Sequence, residues 1–277
     1  MVLAVACFAV MNVLVKLIPD IGAVEIVFVR SVVSFIMSFF MLKRIKVNVW
    51  GNNKPWLILR GVVGSVGLIS FFYTIQVMPL ASAVSVNYLS PIFTIIIGIY
   101  LVKEKVWPMQ WVFFALAFTG VLIIQGWDTR VDPLSVVVGI VGAFFAGFAY
   151  NCVKRLKTTE HPLVIVLYFP LVTIPVTGLY LLNSWVMPSL YEWAILIGIG
   201  VATQFAQYFL TKAYQTDAIS KIASIQYVGI VFAILLGWIF FDETYTWVSG
   251  SGIIVLAVGV SLNIWYKTRK QVQERNS

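Results

Sequence analysis

Ionisable side chains are scarce in this chain. Asp, Glu, Lys and Arg make up 11% of its 277 residues, where a soluble globular protein carries about 25%. One histidine and two cysteines leave little material for a zinc or haem site. Cys7 and Cys152 both sit in apolar stretches, so no disulfide framework is implied. No Walker-type phosphate loop occurs, which argues against direct drive by ATP. Paired intramembrane carboxylates and a nucleophile motif are also missing, which argues against an enzyme. No filter-like repeated loop suggests a channel. No cofactor, catalytic residue or metal ligand is expected.

Apolar sequence is what the chain has instead. It is 61% hydrophobic, with a mean hydropathy of +0.95. One apolar run could be a buried core helix, but runs that fill the whole length make a polytopic membrane protein. Ten apolar segments of about 20 residues are separated by short polar breaks: 1–18, 23–42, 56–77, 82–102, 108–126, 134–153, 162–182, 192–213, 221–241 and 247–266. The first is expected to remain as a span, because it is too apolar for a cleaved signal and has a partner segment later in the chain. The breaks carry turn residues such as Pro19 with Gly22, Pro79, Pro108, Asp132 with Pro133, and His161 with Pro162. The last residues, 267–277, form a charged tail.

The sequence repeats at an offset of 139 residues. Gln76–Glu104 returns loosely as Gln215–Glu243, and Ser85 meets Ser224, Asn87 meets Gln226 and Tyr88 meets Tyr227. Outward from there Asn12 meets Asn151, Lys16 meets Arg155, Gly61 meets Gly200 and Gly120 meets Gly259. A duplication fixes the architecture. Residues 1–127 form one half of five spans and 134–266 the other. Five is odd, so the second half enters the membrane upside down. The expected fold is an all-α integral membrane protein of ten transmembrane helices in two inverted five-helix repeats, with a site between the halves near the midplane.

Lys and Arg set the orientation. With the N-terminus in the cytoplasm, that side receives 15 of the 19 basic residues, including Lys43, Arg44, Lys103, Lys154, Arg155, Lys157 and the tail. Both termini are expected inside, in the cell (inner) membrane.

Several short motifs carry a resemblance. They are FVR at Phe28–Arg30, LRG at Leu59–Gly61 with the small residues after it, MPLASA at Met78–Ala83, LSP at Leu89–Pro91, and the acidic ends VKE at Glu104 and DE at Glu243. With them the chain resembles an EamA-type carrier of the drug/metabolite transporter superfamily over nearly its whole length. Ile21–Arg30, close to PxxxxExVFxR, and LRG are similar to the solute-carrier-35G-like and S-adenosylmethionine-carrier branch. The family pattern usually has Gly before the Glu that closes the fourth and ninth spans; here Lys103 and Asp242 stand there. The resemblance implies a secondary carrier of small metabolites. It implies a central cavity lined by spans one to four and six to nine, with the fifth and tenth spans peripheral and available for a homodimer.

Individual residues point to the same cavity. Lys16 and Glu25 flank the first outer turn, as an ion pair or a gate. Arg30 lies about 7.5 Å deeper than Glu25 at 1.5 Å per residue, too deep to reach the headgroups, and is expected to face the cavity. Arg60, near the start of its span, is expected to snorkel. Gln204, Gln207, Tyr208 and Thr211 share one helix face, a candidate cavity wall. Asn12, Asn87, Tyr88, Asn151, Gln226 and Tyr227 complete the expected substrate contacts. Each amide could instead be interhelical glue, worth about 0.6 kcal/mol. Pro91 should kink its helix near Tyr88. A cavity of amides, aromatics and net positive charge suits a zwitterionic or anionic small molecule, amino-acid- or nucleoside-like. The expected partners are that substrate and the lipid bilayer, not nucleic acid. An exporter of organic cations or drugs, or a channel-like or structural membrane protein, is the alternative.

Overall fold

A computed structural model describes residues 1–101, 107–127, 132–216, 228–244 and 246–276. Among these residues the chain is all helix and loop, with no strand. The helices are α1 (Val2–Lys16), α2 (Ala23–Arg44), α3 (Lys54–Val77), α4 (Leu80–Asn87), α5 (Ser90–Leu101) and α6 (Pro108–Trp127). They continue with α7 (Pro133–Arg155), α8 (Pro162–Leu181), α9 (Leu190–Thr216), α10 (Val228–Phe241) and α11 (Trp247–Asn276). Lipid offers backbone groups no partner, so a spanning segment must satisfy its own hydrogen bonds, as a helix does. Among the described residues, seven helices are long and apolar enough to cross a membrane, and Val2–Lys16 and Phe232–Phe241 are shorter apolar helices. The molecule is a multi-pass membrane protein.

Local chemistry sets the helix starts. Asp132 accepts from the Ser135 amide at 3.1 Å and Pro133 opens α7. His161 Nδ1 accepts from the Leu163 amide at 3.2 Å, and Pro162 follows it. Partial burial lowers the His161 pKa, which keeps Nδ1 an acceptor. Ser189 and Glu192 satisfy each other's amides at the start of α9. The helix that contains Pro91 is broken at Tyr88 and Leu89, between α4 and α5, because proline cannot donate to the preceding turn.

Packing crosses between the halves. α1 lies along α9 and α7 along α3, α2 crosses α8, and α6 pairs with α11 at the side. Glycines allow the closest approaches. A Cβ on Gly61 would stand 2.7 Å from Val172 Cγ2, and one on Gly200 would stand 2.5 Å from Val33 Cβ. Gly120 fits against the Leu256 amide and Gly259 against the Ala117 amide. Ser65 bonds Thr173 across α3 and α8, and Ser34 bonds Gln204 across α2 and α9, each at 2.5 Å. Gln76 Nε2 donates to the Ile21 carbonyl at 2.6 Å, and Gln215 Nε2 to the Glu160 carbonyl at 3.0 Å. Every contact in these four pairs becomes its companion when residue numbers are shifted by the repeat offset and, where the contact crosses between halves, the halves are exchanged.

Candidate functional site

A cavity opens between α1, α3, α4, α7, α9 and α10, with about 1060 Å³ of empty space including its open part. It follows α1 from Met1 through Val5 and Phe8 to Asn12, and stops one turn short of Lys16. Phe8, Leu68, Phe71, Tyr88 and Tyr150 supply apolar and aromatic wall. The polar groups are few: Asn12, Asn87, Arg60 and Gln207, with the Ser90, Tyr88 and Tyr150 hydroxyls. Such a cavity, mostly apolar with a few converging polar groups, is what a small-molecule site looks like.

Four of the expected contact residues therefore meet here: Asn12, Asn87, Tyr88 and Gln207. Asn12 Oδ1 is buried with no hydrogen-bond partner among the described residues. Asn87 and Tyr88 stand at the break between α4 and α5, and Tyr88 Oη reaches α10 where only a glycine, Gly229, leaves room. Gln207 accepts from Arg60 Nη2 at 3.2 Å.

The other expected residues sit elsewhere. Gln204 is interhelical: its Oε1 accepts from Ser34 and its Nε2 donates to Ser38 at 2.8 Å. Asn151 is fully buried and donates to the carbonyls of Thr94 and Gly147 at 2.8 and 2.9 Å, pinning α7 to α5. Tyr208 packs beside Phe209, away from the cavity lining. Gln226 and Tyr227 lie outside the described residues. Arg30 is buried at 0% exposure and does not line the cavity. Its guanidinium lies over Phe169 at 5.1 Å and Phe72 at 5.9 Å, and Nε, Nη1 and Nη2 have no acceptor among the described residues.

Lys16 and Glu25 do not pair with each other. Lys16 Nζ bonds Glu243 at 2.5 Å and the Met78 carbonyl at 2.8 Å. Both Glu243 oxygens also accept from the Leu80 amide at 2.9 Å. Leu80 lines the cavity, so this cluster forms its end wall. Glu25 accepts instead from the Val186 amide at 3.3 Å. The chain turns into Glu243 through Asp242 at φ 48°. Asp tolerates that left-handed region better than most residues, and a glycine would fit it without strain.

Arg60 does not snorkel. It is 3% exposed, lines the cavity, and stacks on Phe169 at 4.9 Å. Gly64, one turn later, explains the fold of the side chain: a Cβ there would stand 2.7 Å from Arg60 Nη1 and 2.9 Å from Phe169 Cε2.

A bundle of apolar helices around a partly polar cavity, walled at one end by an ion pair, defines a membrane protein that handles a small solute. The chain belongs to the EamA-like transporter family, whose model matches residues 1–126 and 133–265. It is 32% identical to the pseudopaline exporter CntI of Pseudomonas aeruginosa over 94% of both chains. It is 31% identical to human solute carrier family 35 member G1, over 95% of this chain and 78% of that one. A crystal structure 14% identical in sequence superimposes with a TM-score of 0.71, covering 96% of this chain and 98% of the other; that likeness concerns the fold alone.

The two glutamines of α9 should respond differently to the same change. Gln204→Leu strands two serine hydroxyls and should lower the melting temperature in detergent by a few degrees, with uptake retained. Gln207→Leu takes the amide acceptor from Arg60 Nη2 and should lower the melting temperature as well, but it alone should also reduce uptake several-fold. Paired melting and proteoliposome uptake measurements check both.

Proposed function

We propose that this protein is a secondary transporter of a small polar metabolite, working by alternating access between two inverted five-helix repeats. The substrate is amino-acid- or nucleoside-like, and zwitterionic or anionic. The observation that carries this is the exchange of contacts under the 139-residue shift. Gly61 with Val172 and Gly200 with Val33 are one contact seen from each half, as are Ser65 with Thr173 and Gln204 with Ser34. A two-fold axis in the membrane plane would produce such exchanges, and it gives a carrier two equivalent openings. The lysine and arginine bias supports both termini in the cytoplasm, in the cell (inner) membrane. On that orientation the Lys16–Glu243 wall closes the outer end. Export is the direction named for the pseudopaline relative, and export is the direction we assign. The exposed outer faces of α6 and α11, with Trp111, Val112 and Trp265, meet lipid or a second copy.

Topology is the first test. Cysteines placed at Asp132 and Lys157, in a background without Cys7 and Cys152, should react with an impermeant reagent from opposite sides, Asp132 from outside. Reaction of both from one side would remove the inverted repeat. A proteoliposome screen with labelled amino acids and nucleosides then tests the substrate class.

A further inference from the structure

On the transporter reading above, we infer that Arg60 is the anchor for the carboxylate of an organic anion with a flat, apolar body, with Gln207 and Phe169 positioning the guanidinium. Arg60 is the one arginine that lines the cavity among the described residues. It is almost wholly buried. A guanidinium has five N–H donors and stays protonated, yet Arg60 Nε and Nη1 have no acceptor among the described residues. Nη2 has a neutral one, the Gln207 amide oxygen at 3.2 Å.

Among the described residues no carboxylate pairs with this charge. The only ion pair among the described residues is Lys16 with Glu243, at the end wall. Arg30 adds a second guanidinium on the same Phe169 ring. An uncompensated charge inside a membrane is costly, and its usual partner is an acid, a backbone carbonyl or a transported ion. The first is missing here among the described residues. No carbonyl accepts from Arg60 Nε or Nη1 among the described residues either.

Geometry makes a carboxylate the fitting ion. Gln207 holds its amide oxygen where a carboxylate oxygen would come, at a distance longer than the roughly 2.7–2.9 Å of a charge-assisted bond. A carboxylate arriving at that edge replaces a neutral acceptor with a charged one and offers its second oxygen to the next N–H of the fork. The displaced Gln207 amide can then turn its NH2 to the same carboxylate. Phe169 covers one side of the guanidinium and fixes its plane. Beyond this polar end the wall is Phe8, Leu68, Phe71, Tyr88 and Tyr150, which suits an aromatic or other flat apolar body.

The test is calorimetric binding to purified protein in detergent, with phenylacetate, phenylacetamide and phenyl phosphate as probes. Phenylacetate should bind at least ten-fold more tightly than the isosteric amide. Arg60→Met should abolish that discrimination, and Arg60→Lys, which keeps the charge but loses the fork, should weaken phenylacetate several-fold. Should Arg60→Met not fold, the wild-type contrast and Arg60→Lys decide the matter. Equal binding of acid and amide, or discrimination surviving in Arg60→Met, overturns the proposal. Tighter binding of phenyl phosphate overturns the choice of carboxylate. Acid-selective binding in a protein that moves nothing in proteoliposomes leaves the anchor standing and removes the carrier; transport without acid selectivity does the reverse.

Discussion

Glu243→Gln should open the sealed end of the cavity and cut transport at least ten-fold. Glu243 holds three pieces of backbone together: the end of α1 through Lys16, the start of α4 through Leu80, and its own turn after α10. Glutamine can still accept from the Leu80 amide but offers Lys16 no charge. Breaking a buried pair by removing one partner costs about 3–5 kcal/mol; Lys16 keeps 16% of its surface and its bond to Met78, so about 2 kcal/mol is a fair expectation. That shifts a closed-to-open ratio roughly 30-fold. A cysteine at Asn87 should then react faster with an impermeant reagent from the Lys16 side. Lys16→Met should act the same way, and the double variant should add little to either single change. An unchanged labelling rate in Glu243→Gln would show that the pair is ornamental to the wall.

Arg30→Met should keep the protein folded and stop transport. Among the described residues Arg30 touches two aromatic rings and no hydrogen-bond acceptor. Desolvated cation–π contacts are worth about 2 kcal/mol each, of the same order as the roughly 2.5–3.5 kcal/mol cost of an arginine at membrane depth by insertion scales. Methionine fills similar space and brings no charge, so the melting temperature should stay at or above that of the parent. On the alternating-access proposal, Arg30 would gain an acceptor when the helices around it rearrange, and the variant would lose that gain. Uptake of whichever metabolite the proteoliposome screen returns should fall more than ten-fold, and Arg30→Lys should fall by less. Parental uptake in Arg30→Met would make Arg30 a packing cation.

Much of this was legible in the sequence, and the exceptions share a cause. The break at Tyr88 follows from Pro91, a local matter of one missing donor. Asn12, Asn87 and Gln207 reach the cavity because helix spacing and segment position govern which face they occupy. Gln204 and Gln207 share that face by spacing, but α2 brings Ser34 and Ser38 to the first and α3 brings Arg60 to the second. Only tertiary packing separates them. Lys16 looked to Glu25, nine residues away, whereas the fold brings it Glu243 from the other end of the chain. Arg60 is close enough to the start of α3 to snorkel, and Gly64 instead gives it a berth inside. The glycine was visible in the sequence; the side chain that would use its empty space was not.

Arg30 and Phe169 stack on each other, and they are separated by the repeat offset of 139 residues. On the two-copy reading they are the same position in each half, meeting itself at the axis. A dimer of identical five-helix chains would place two arginines or two phenylalanines there: like charges in contact, or no charge at all. A single chain can hold one of each. Neither half could then stand in for the other, and a chimera with two copies of residues 1–127 would set two guanidiniums face to face. On that reading, two halves of different sequence are what let the centre of a symmetric frame be chemically lopsided.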